Sequence, residues 1–397
     1  MATGIPLNNK SAKMDYQLSY EGKEDIDSIL SAKSKTHYKL QEQISFSTPI
    51  DLKGKFVLGD NIESLRYLLE TKGPNIIDAV YIDPPYAKQA AFNTKQHNKA
   101  YEDNLFGAEY LEFLRKRLVL IHSLLKPTGS IFVHLDETMA FTVKILMDEI
   151  FGPSNFHNWI TRKKSNPKNT VTRKFGDISD YIMFYSKSNK YHFYTPREEI
   201  DIEKVKREYH YIEKETNERY KVVPIYGPGI RNGKTGQKWH GMYPPAGKHW
   251  QYTPDKLTEL DKNNQIHWSK NGNPRRKIYL KDYKGPVMQD ILLGYKDATN
   301  QNIKVTGYPT EKNLDLVKLL LSTVTKPGDL VLDAFAGSGT AAEAAIDLKC
   351  NWIMMDNSLE ALKATKKRLN DMSINSIDDI FKNVSECVVN IYKGSNE

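Results

Sequence analysis

The feature that most constrains this chain is a rhythm of β-rich runs and amphipathic stretches that breaks off near residue 156 and resumes near residue 313. In the first block Phe56-Val57-Leu58 leads into the turn Gly59-Asp60-Asn61, and Ile62–Leu69 reads as a helix. Ile76–Ile82 is a second strand. Asp83-Pro84-Pro85-Tyr86 ends it, because paired prolines continue neither strand nor helix. Glu109–Leu125 places Leu111, Leu114, Leu118 and Ile121 at helical spacing. Ser130–Asp136 follows as a strand, and Glu137–Ile150 as a helix that stops at Gly152-Pro153. In the second block a helix over Asn313–Thr325 precedes strands at Asp329–Leu332 and Asn351–Met355, with the Ala-rich helix Ala341–Leu348 between them. This alternation predicts an α/β fold with a mostly parallel, doubly wound, Rossmann-like sheet.

Between the blocks the chain carries scattered Lys and Arg, many Tyr, and Gly, Pro and Asn punctuation. It reads as an insertion between two parts of one sheet. Tyr181–Tyr185 is strand-like and belongs to sheet-extending strands near 157–187. The expected divisions are a loosely packed arm over 1–50 with one short helix near Asp25–Leu30, a first α/β half over 51–155, the insertion over 156–302, a second α/β half over 303–370, and an extension over 371–397.

Composition excludes several classes. No apolar run is long enough to cross a membrane, and Met1–Lys13 is polar, without the apolar core of a secretory leader. Cys350 and Cys387 are the two cysteines. They build neither a disulfide framework nor a zinc site, so no metal is expected, and a cytoplasmic location is. A net charge of +8 permits nucleic-acid binding without arguing for it.

Two motifs carry chemistry. Asp333-Ala334-Phe335-Ala336-Gly337-Ser338-Gly339-Thr340 joins a strand to a helix, and its glycines let the backbone turn sharply and approach a ligand. Open α/β sheets bind ligands at this edge, and Asp356, ending the next strand, suits a ribose diol. A plain strand–helix turn would look similar. The full dinucleotide glycine spacing and a phosphate-binding lysine are both missing. The second motif is Asp83-Pro84-Pro85-Tyr86. An amine conjugated to a purine ring is a poor nucleophile, because its lone pair is delocalised. The Asp83 carboxylate and the Pro84 carbonyl can accept both of its N–H groups and free that lone pair. Pro85 helps to hold these acceptors rigid, and Tyr86 offers a face for an extruded base.

Together these motifs resemble the β group of amino-group DNA methyltransferases, in which Asp-Pro-Pro-Tyr precedes Phe-x-Gly-x-Gly in a circularly permuted order. The likeness is greatest to modification subunits of type III restriction systems and covers roughly 55–190 and 305–365. Gly59-Asp60-Asn61, Lys126–Val133, Asp180–Lys187 and Tyr308-Pro309-Thr310-Glu311-Lys312 match further family segments. The resemblance implies the S-adenosylmethionine-dependent methyltransferase fold and transfer to the N6 amine of adenine in flipped-out duplex DNA. It places Asp333, Phe335, Ala336, Gly337, Gly339, Thr340, Asp356, Thr310, Lys312 and Asp60 around the cofactor. Glu311 and Asn313 depart from the Gln and Pro usual in relatives. The insertion becomes a target-recognition region, with Arg162, Lys163, Arg173, Lys174, Lys238, Arg275 and Arg276 as candidate DNA contacts. Trp239, Trp250 and Trp268 read as core of that module, and Cys350 as packing. A homodimer and a restriction subunit are the protein partners implied. N4-cytosine methylation and a non-catalytic DNA-binding specificity subunit stay open as alternatives.

Overall fold

A computed structural model describes residues 16–48, 51–85, 107–167, 171–297, 306–308, 311–375 and 385–396. The chain divides into two compact units, Met1–Pro196 with Gln289–Glu397, and Arg197–Met288. The elements before the division are α1 (Ile26–Ser31), β1 (Thr36–Thr48), β2 (Leu52–Leu58), α2 (Asn61–Lys72), β3 (Ile77–Ile82), α3 (Ala108–Leu124), β4 (Leu125–Leu135), α4 (Ala140–Phe151), β5 (Phe156–Lys163) and β6 (Ser179–Ser186). The second unit holds α5 (Ile202–Glu208), β7 (Tyr211–Ile212), β8 (Arg219–Pro224), β9 (Tyr226–Pro228), β10 (Lys248–Trp250), α6 (Pro254–Lys262), β11 (Ile266–Trp268) and β12 (Pro274–Tyr279). The first unit then resumes with β13 (Ile291–Leu292), α7 (Leu314–Ser322), β14 (Leu330–Asp333), α8 (Thr340–Asp347), β15 (Asn351–Asp356), α9 (Leu359–Asn375) and β16 (Ser385–Asn396).

One ten-stranded sheet organises the first unit, in the order β1-β16-β2-β15-β14-β3-β4-β6-β5-β13. Strands from β16 to β4 in that order run parallel. Parallel strands are covered on both faces, so they read as nearly continuous apolar runs. Val80, Ile82, Ile131, Val133, Leu332 and Ile353 are buried this way, packed with Leu114, Leu118 and Ile121 of α3. β6 pairs antiparallel with β4 and closes the run on one side. This is a Rossmann-like, doubly wound architecture, interrupted in sequence by the second unit.

Two expectations differ from the structure. Of the arm assigned to 1–50, residues 36–48 form β1, which pairs along its length with β16 from the far end of the chain. Its many polar residues hid it, because as an edge strand it buries little. Of the insertion assigned to 156–302, with its sheet-extending strands near 157–187, β5 and β6 do extend the large sheet; the difference is that β13 joins them and only Arg197–Met288 forms a separate unit. The second unit has a four-stranded antiparallel sheet, β11-β12-β8-β7, and a two-stranded ribbon, β10-β9. Its core gathers Ile225, Trp239, Trp250, Leu257, Leu260 and Ile266. Trp268 stacks on Trp239 at 5.4 Å and is 38% exposed.

Candidate active site

β15, β14 and β3 are adjacent parallel strands, so their carboxyl ends lie side by side. Asp356, Asp333 and Asp83 sit at those ends. Past β14 the chain makes a tight loop. Asp333 Oδ1 accepts the Phe335 N–H at 2.8 Å, and Asp356 Oδ2 accepts the Gly337 N–H at 2.9 Å. Ala336 N donates to the Met355 carbonyl at 3.0 Å. Gly337 and Gly339 have φ of 50° and 77°, the left-handed region that favours glycine. A Cβ on Gly339 would lie 2.5 Å from Thr365 Oγ1, so both backbone angle and space require glycine there. Thr340 then opens α8. On the other side of β15, Asp60 caps α2 by accepting the Ile62 N–H at 3.0 Å, and Arg117 holds it at 3.0 Å. Asn61 Nδ2 donates to the Ala334 carbonyl at 2.7 Å, tying this turn to the glycine loop.

This donor set suits S-adenosylmethionine. A side-chain-free stretch of backbone at Gly337 stands beside the Asp356 carboxylate, whose oxygens can each accept a further hydrogen bond. Burial pushes the Asp333 carboxyl well above the ordinary carboxylate range, and the Asp83 and Asp356 charges add to the shift. Asp356 is raised too, again by burial. A cationic group placed at this edge would relieve both.

Lys312 Nζ lies 3.0 Å from Asp83 Oδ2. The neighbouring Glu311 pairs with Arg368, whose Nε also donates to the Ser338 carbonyl at 3.0 Å and which pairs with Glu343. Glu311 further accepts from Thr306 N and Oγ1, at 2.9 and 2.8 Å. Asn313 caps α7, accepting the Leu316 N–H at 3.0 Å. The two departures from the family pattern, Glu311 and Asn313, thus have definite structural partners. Tyr86 and Thr310 lie outside the described residues.

A buried polar chain runs behind the Asp83 turn. Tyr81 Oη is 2.9 Å from His134 Nδ1, and His134 Nε2 is 3.2 Å from Asp180 Oδ2. Lys164 and Arg162 reach the same carboxylate at 2.9 and 3.4 Å. Burial alone would raise Asp180; its hydrogen bond with His134 and the charges of Lys312 and Arg162 hold it well below the usual range instead. His134 is lowered by burial and by Lys312. Asp180 opens a segment already matched to the family, but nothing in the sequence marks Tyr81, His134, Arg117 or Arg368, each of which sits in an ordinary strand or helix.

Arg162 must leave the set of DNA contacts. Its side chain is 0% exposed, held between Asp180 and Asp297. Lys163 is half-buried on β5, and Arg173 and Lys174 are exposed in the connection from β5 to β6. In the second unit Lys238 and Arg275 are exposed, while Arg276 is half-buried against Tyr252. Cys350 is buried, and burial pushes its thiol up to about 11, which makes it no nucleophile.

Residues 77–367 match the N6/N4 methyltransferase family, described as DNA methylase. The chain is similar to the type II methyltransferase M.EcaI of Enterobacter cloacae, 43% identical over 88% of this chain and 77% of that one. It is similar at 26% identity to the StyLTI Mod subunit of a type III restriction-modification enzyme from Salmonella typhimurium, over 84% of this chain and 56% of that one. A solved M1.HpyAVI–SAM complex covers 80% of this chain and 99% of its own, at 17% identity and a TM-score of 0.44. By the family match over residues 77–367 and the 43% identity to M.EcaI, the chain belongs to the N6/N4 DNA methyltransferase family.

Proposed function

We propose that this DNA methyltransferase modifies the N6 amine of adenine in duplex DNA, with the base flipped out of the stack. The observation that carries this reading is the adjacency of the Asp83 turn and the glycine loop, at the ends of hydrogen-bonded neighbours β3 and β14. S-adenosylmethionine supplies an electrophilic sulfonium methyl when bound. Asp333, Phe335, Ala336, Gly337, Gly339, Thr340, Asp356, Asp60 and Lys312 are the residues that would hold it. The Asp83 carboxylate and the Pro84 carbonyl accept the two N–H groups of the amine. That pulls the nitrogen toward tetrahedral geometry and frees its lone pair. Because Pro84 and Pro85 restrict the turn, these acceptors need little reorganisation during transfer. Asp83 at the head of Pro-Pro favours adenine over the N4 amine of cytosine, whose enzymes more often carry Ser there.

The second unit, with Lys238, Arg275 and Arg276, is the part assigned to target recognition. Lys163, Arg173 and Lys174 are further candidate contacts. A homodimer and a restriction subunit are proposed partners by resemblance alone.

Mass spectrometry of nucleosides from DNA methylated by the purified chain tests the base. N6-methyladenine is expected; N4-methylcytosine alone would overturn the assignment. Asp83→Ala should abolish transfer while calorimetry still detects cofactor binding, and full activity in that variant would sink the mechanism.

A further inference from the structure

Within the second unit the charges are unevenly placed. Asp and Glu make up 49 of the 397 residues, about one in eight, yet none occurs from Arg219 to Pro254. The centre of that stretch is the long loop joining β9 to β10. With the first residue of β10 it carries Arg231, Lys234, Lys238 and Lys248, all exposed. By contrast, three lysines on or just beyond the four-stranded sheet are engaged by carboxylates. Lys221 pairs with Glu208 at 2.8 Å, Lys277 with Glu213 at 2.5 Å and Lys281 with Glu218 at 2.6 Å.

The loop is held in shape rather than left to wander. Gly229 N donates to the Gly247 carbonyl at 2.9 Å and closes its neck, where His249 Nδ1 also meets the Gly229 carbonyl at 2.8 Å. Trp239 and Trp250 anchor it in the unit's core, with indole N–H bonds to Thr258 Oγ1 at 3.0 Å and the Gln237 carbonyl at 2.9 Å. Trp239 and Met242 exchange backbone bonds of 2.9 and 3.0 Å around His240 and Gly241, both at positive φ, so a tight hairpin projects there. Gly236 passes so close to the Arg231 carbonyl that a Cβ would lie 1.9 Å from its oxygen. Two of the cations lie over tyrosine rings, Lys238 over Tyr243 at 5.1 Å and Lys248 over Tyr226 at 4.6 Å. Tyr243 and Ile230 are 65% and 77% exposed. At the hairpin the Asp261 carboxylate is taken up by His240 at 3.1 Å and the Trp268 indole at 2.9 Å.

We infer that this tryptophan-anchored loop is the surface of the second unit that grips the phosphate backbone of duplex DNA, ahead of the Arg275 and Arg276 strand. The inference rests on the reading that the chain acts on duplex DNA. A preformed array of cations, on a stretch that carries no carboxylate of its own, fits a polyanion, because it neutralises phosphates with little need to break ion pairs or order a chain. Its aromatic partners hold the ammonium groups near the surface.

The test is the salt dependence of affinity for a fluorescent duplex, read by anisotropy on the full chain. A quadruple variant, Arg231→Gln with Lys234→Gln, Lys238→Gln and Lys248→Gln, is compared with Lys204→Gln, Lys206→Gln, Arg207→Gln and Lys214→Gln, exposed cations of the same unit. Both remove the same formal charge. The loop variant should lose roughly 3 to 4 from the slope of log K against log salt, about 0.9 for each phosphate released. The control should lose less than about 1. Near-ultraviolet circular dichroism of Trp239 and Trp250, packed in the second unit's core, checks that both variants keep that unit folded. Equal losses in the two variants would overturn the loop assignment and leave the DNA reading standing. A wild-type chain that shows no salt-dependent duplex binding would overturn both.

Discussion

Lys312 and Asp83 meet at 3.0 Å, with 9% and 20% of their side chains exposed. The pair joins a segment just ahead of α7 to the turn after β3, so the two halves of the methyltransferase domain are clasped at the reacting edge. A carboxylate that loses its partner in a poorly solvated place turns toward water or another cation. Lys312→Met should therefore lower kcat/KM for methyl transfer by about 100-fold, equivalent to about 2.7 kcal/mol of transition-state stabilisation. Lys312→Arg should recover part of it. Steady-state kinetics with radiolabelled cofactor would measure both, and an unimpaired Met variant would show that the contact is incidental.

Arg368 is the hub of a second clasp. It binds Glu311, Glu343 and the Ser338 carbonyl, and Glu311 is only 4% exposed. Removing the arginine leaves a buried carboxylate unpaired. Arg368→Ala should cost about 3–5 kcal/mol in urea unfolding. The pair Glu311→Gln with Arg368→Gln should cost less than the single change. If the double variant is the less stable, desolvation of Glu311 is not what the arginine offsets.

Asp333 sets stability against binding. Its carboxyl is raised by burial, so it favours folding less as pH climbs above the unfolded value of about 3.8. Asp333→Asn keeps an oxygen for the Phe335 N–H and removes the ionisation. It should match or exceed the wild type in unfolding free energy at neutral pH, with the gap closing toward pH 4. Cofactor affinity should meanwhile fall by at least about 10-fold in calorimetry, because a carboxylate facing a cationic ligand is gone. Instability without loss of affinity would reverse the argument.

How far the sequence foretold this site depended on what each residue had to do. Gly337, Gly339 and the Asp83-Pro84-Pro85 turn were legible because backbone angles and ring closure restrict residue choice at a few consecutive positions. The central strands were legible because burial on both faces leaves unbroken apolar runs. Arg368 was not, since a long side chain crossing from α9 to Glu311 depends on tertiary placement and leaves no local pattern. Arg162 misled for the same reason. Arg162-Lys163-Lys164 looks like a surface run, but on a strand alternate residues face opposite sides, and the first of the three turns inward to Asp180. Strand β1 escaped although Tyr38, Leu40, Ile44 and Phe46 alternate with polar residues: a register shift between Leu40 and Glu42 moves the two apolar pairs to opposite faces, and Lys, Gln and Glu fill the positions between.

His122, near the end of α3, gives acid sensitivity a specific source. Burial, helped by Lys187, lowers its imidazole to about 3. A histidine kept neutral in the fold contributes stability above its unfolded value of about 6.5, and this drains away as pH falls toward 3. At pH 5 the loss should be about 2 kcal/mol. His122→Gln should flatten the slope of denaturant midpoint against pH between about 6.5 and 4. Parallel slopes in variant and wild type would assign the sensitivity elsewhere.

The zipper between β1 and β16, from Thr36 opposite Asn396 to Thr48 opposite Ser385, has a practical consequence. β16 also lies along β2, from Cys387 beside Leu52 to Lys393 beside Leu58. Trimming the last dozen residues would therefore bare two ladders of amide and carbonyl groups at once, one on β1 and one on β2. Such ladders recruit strands from other molecules, so the shortened protein should form aggregates seeded at this corner rather than a leaner enzyme.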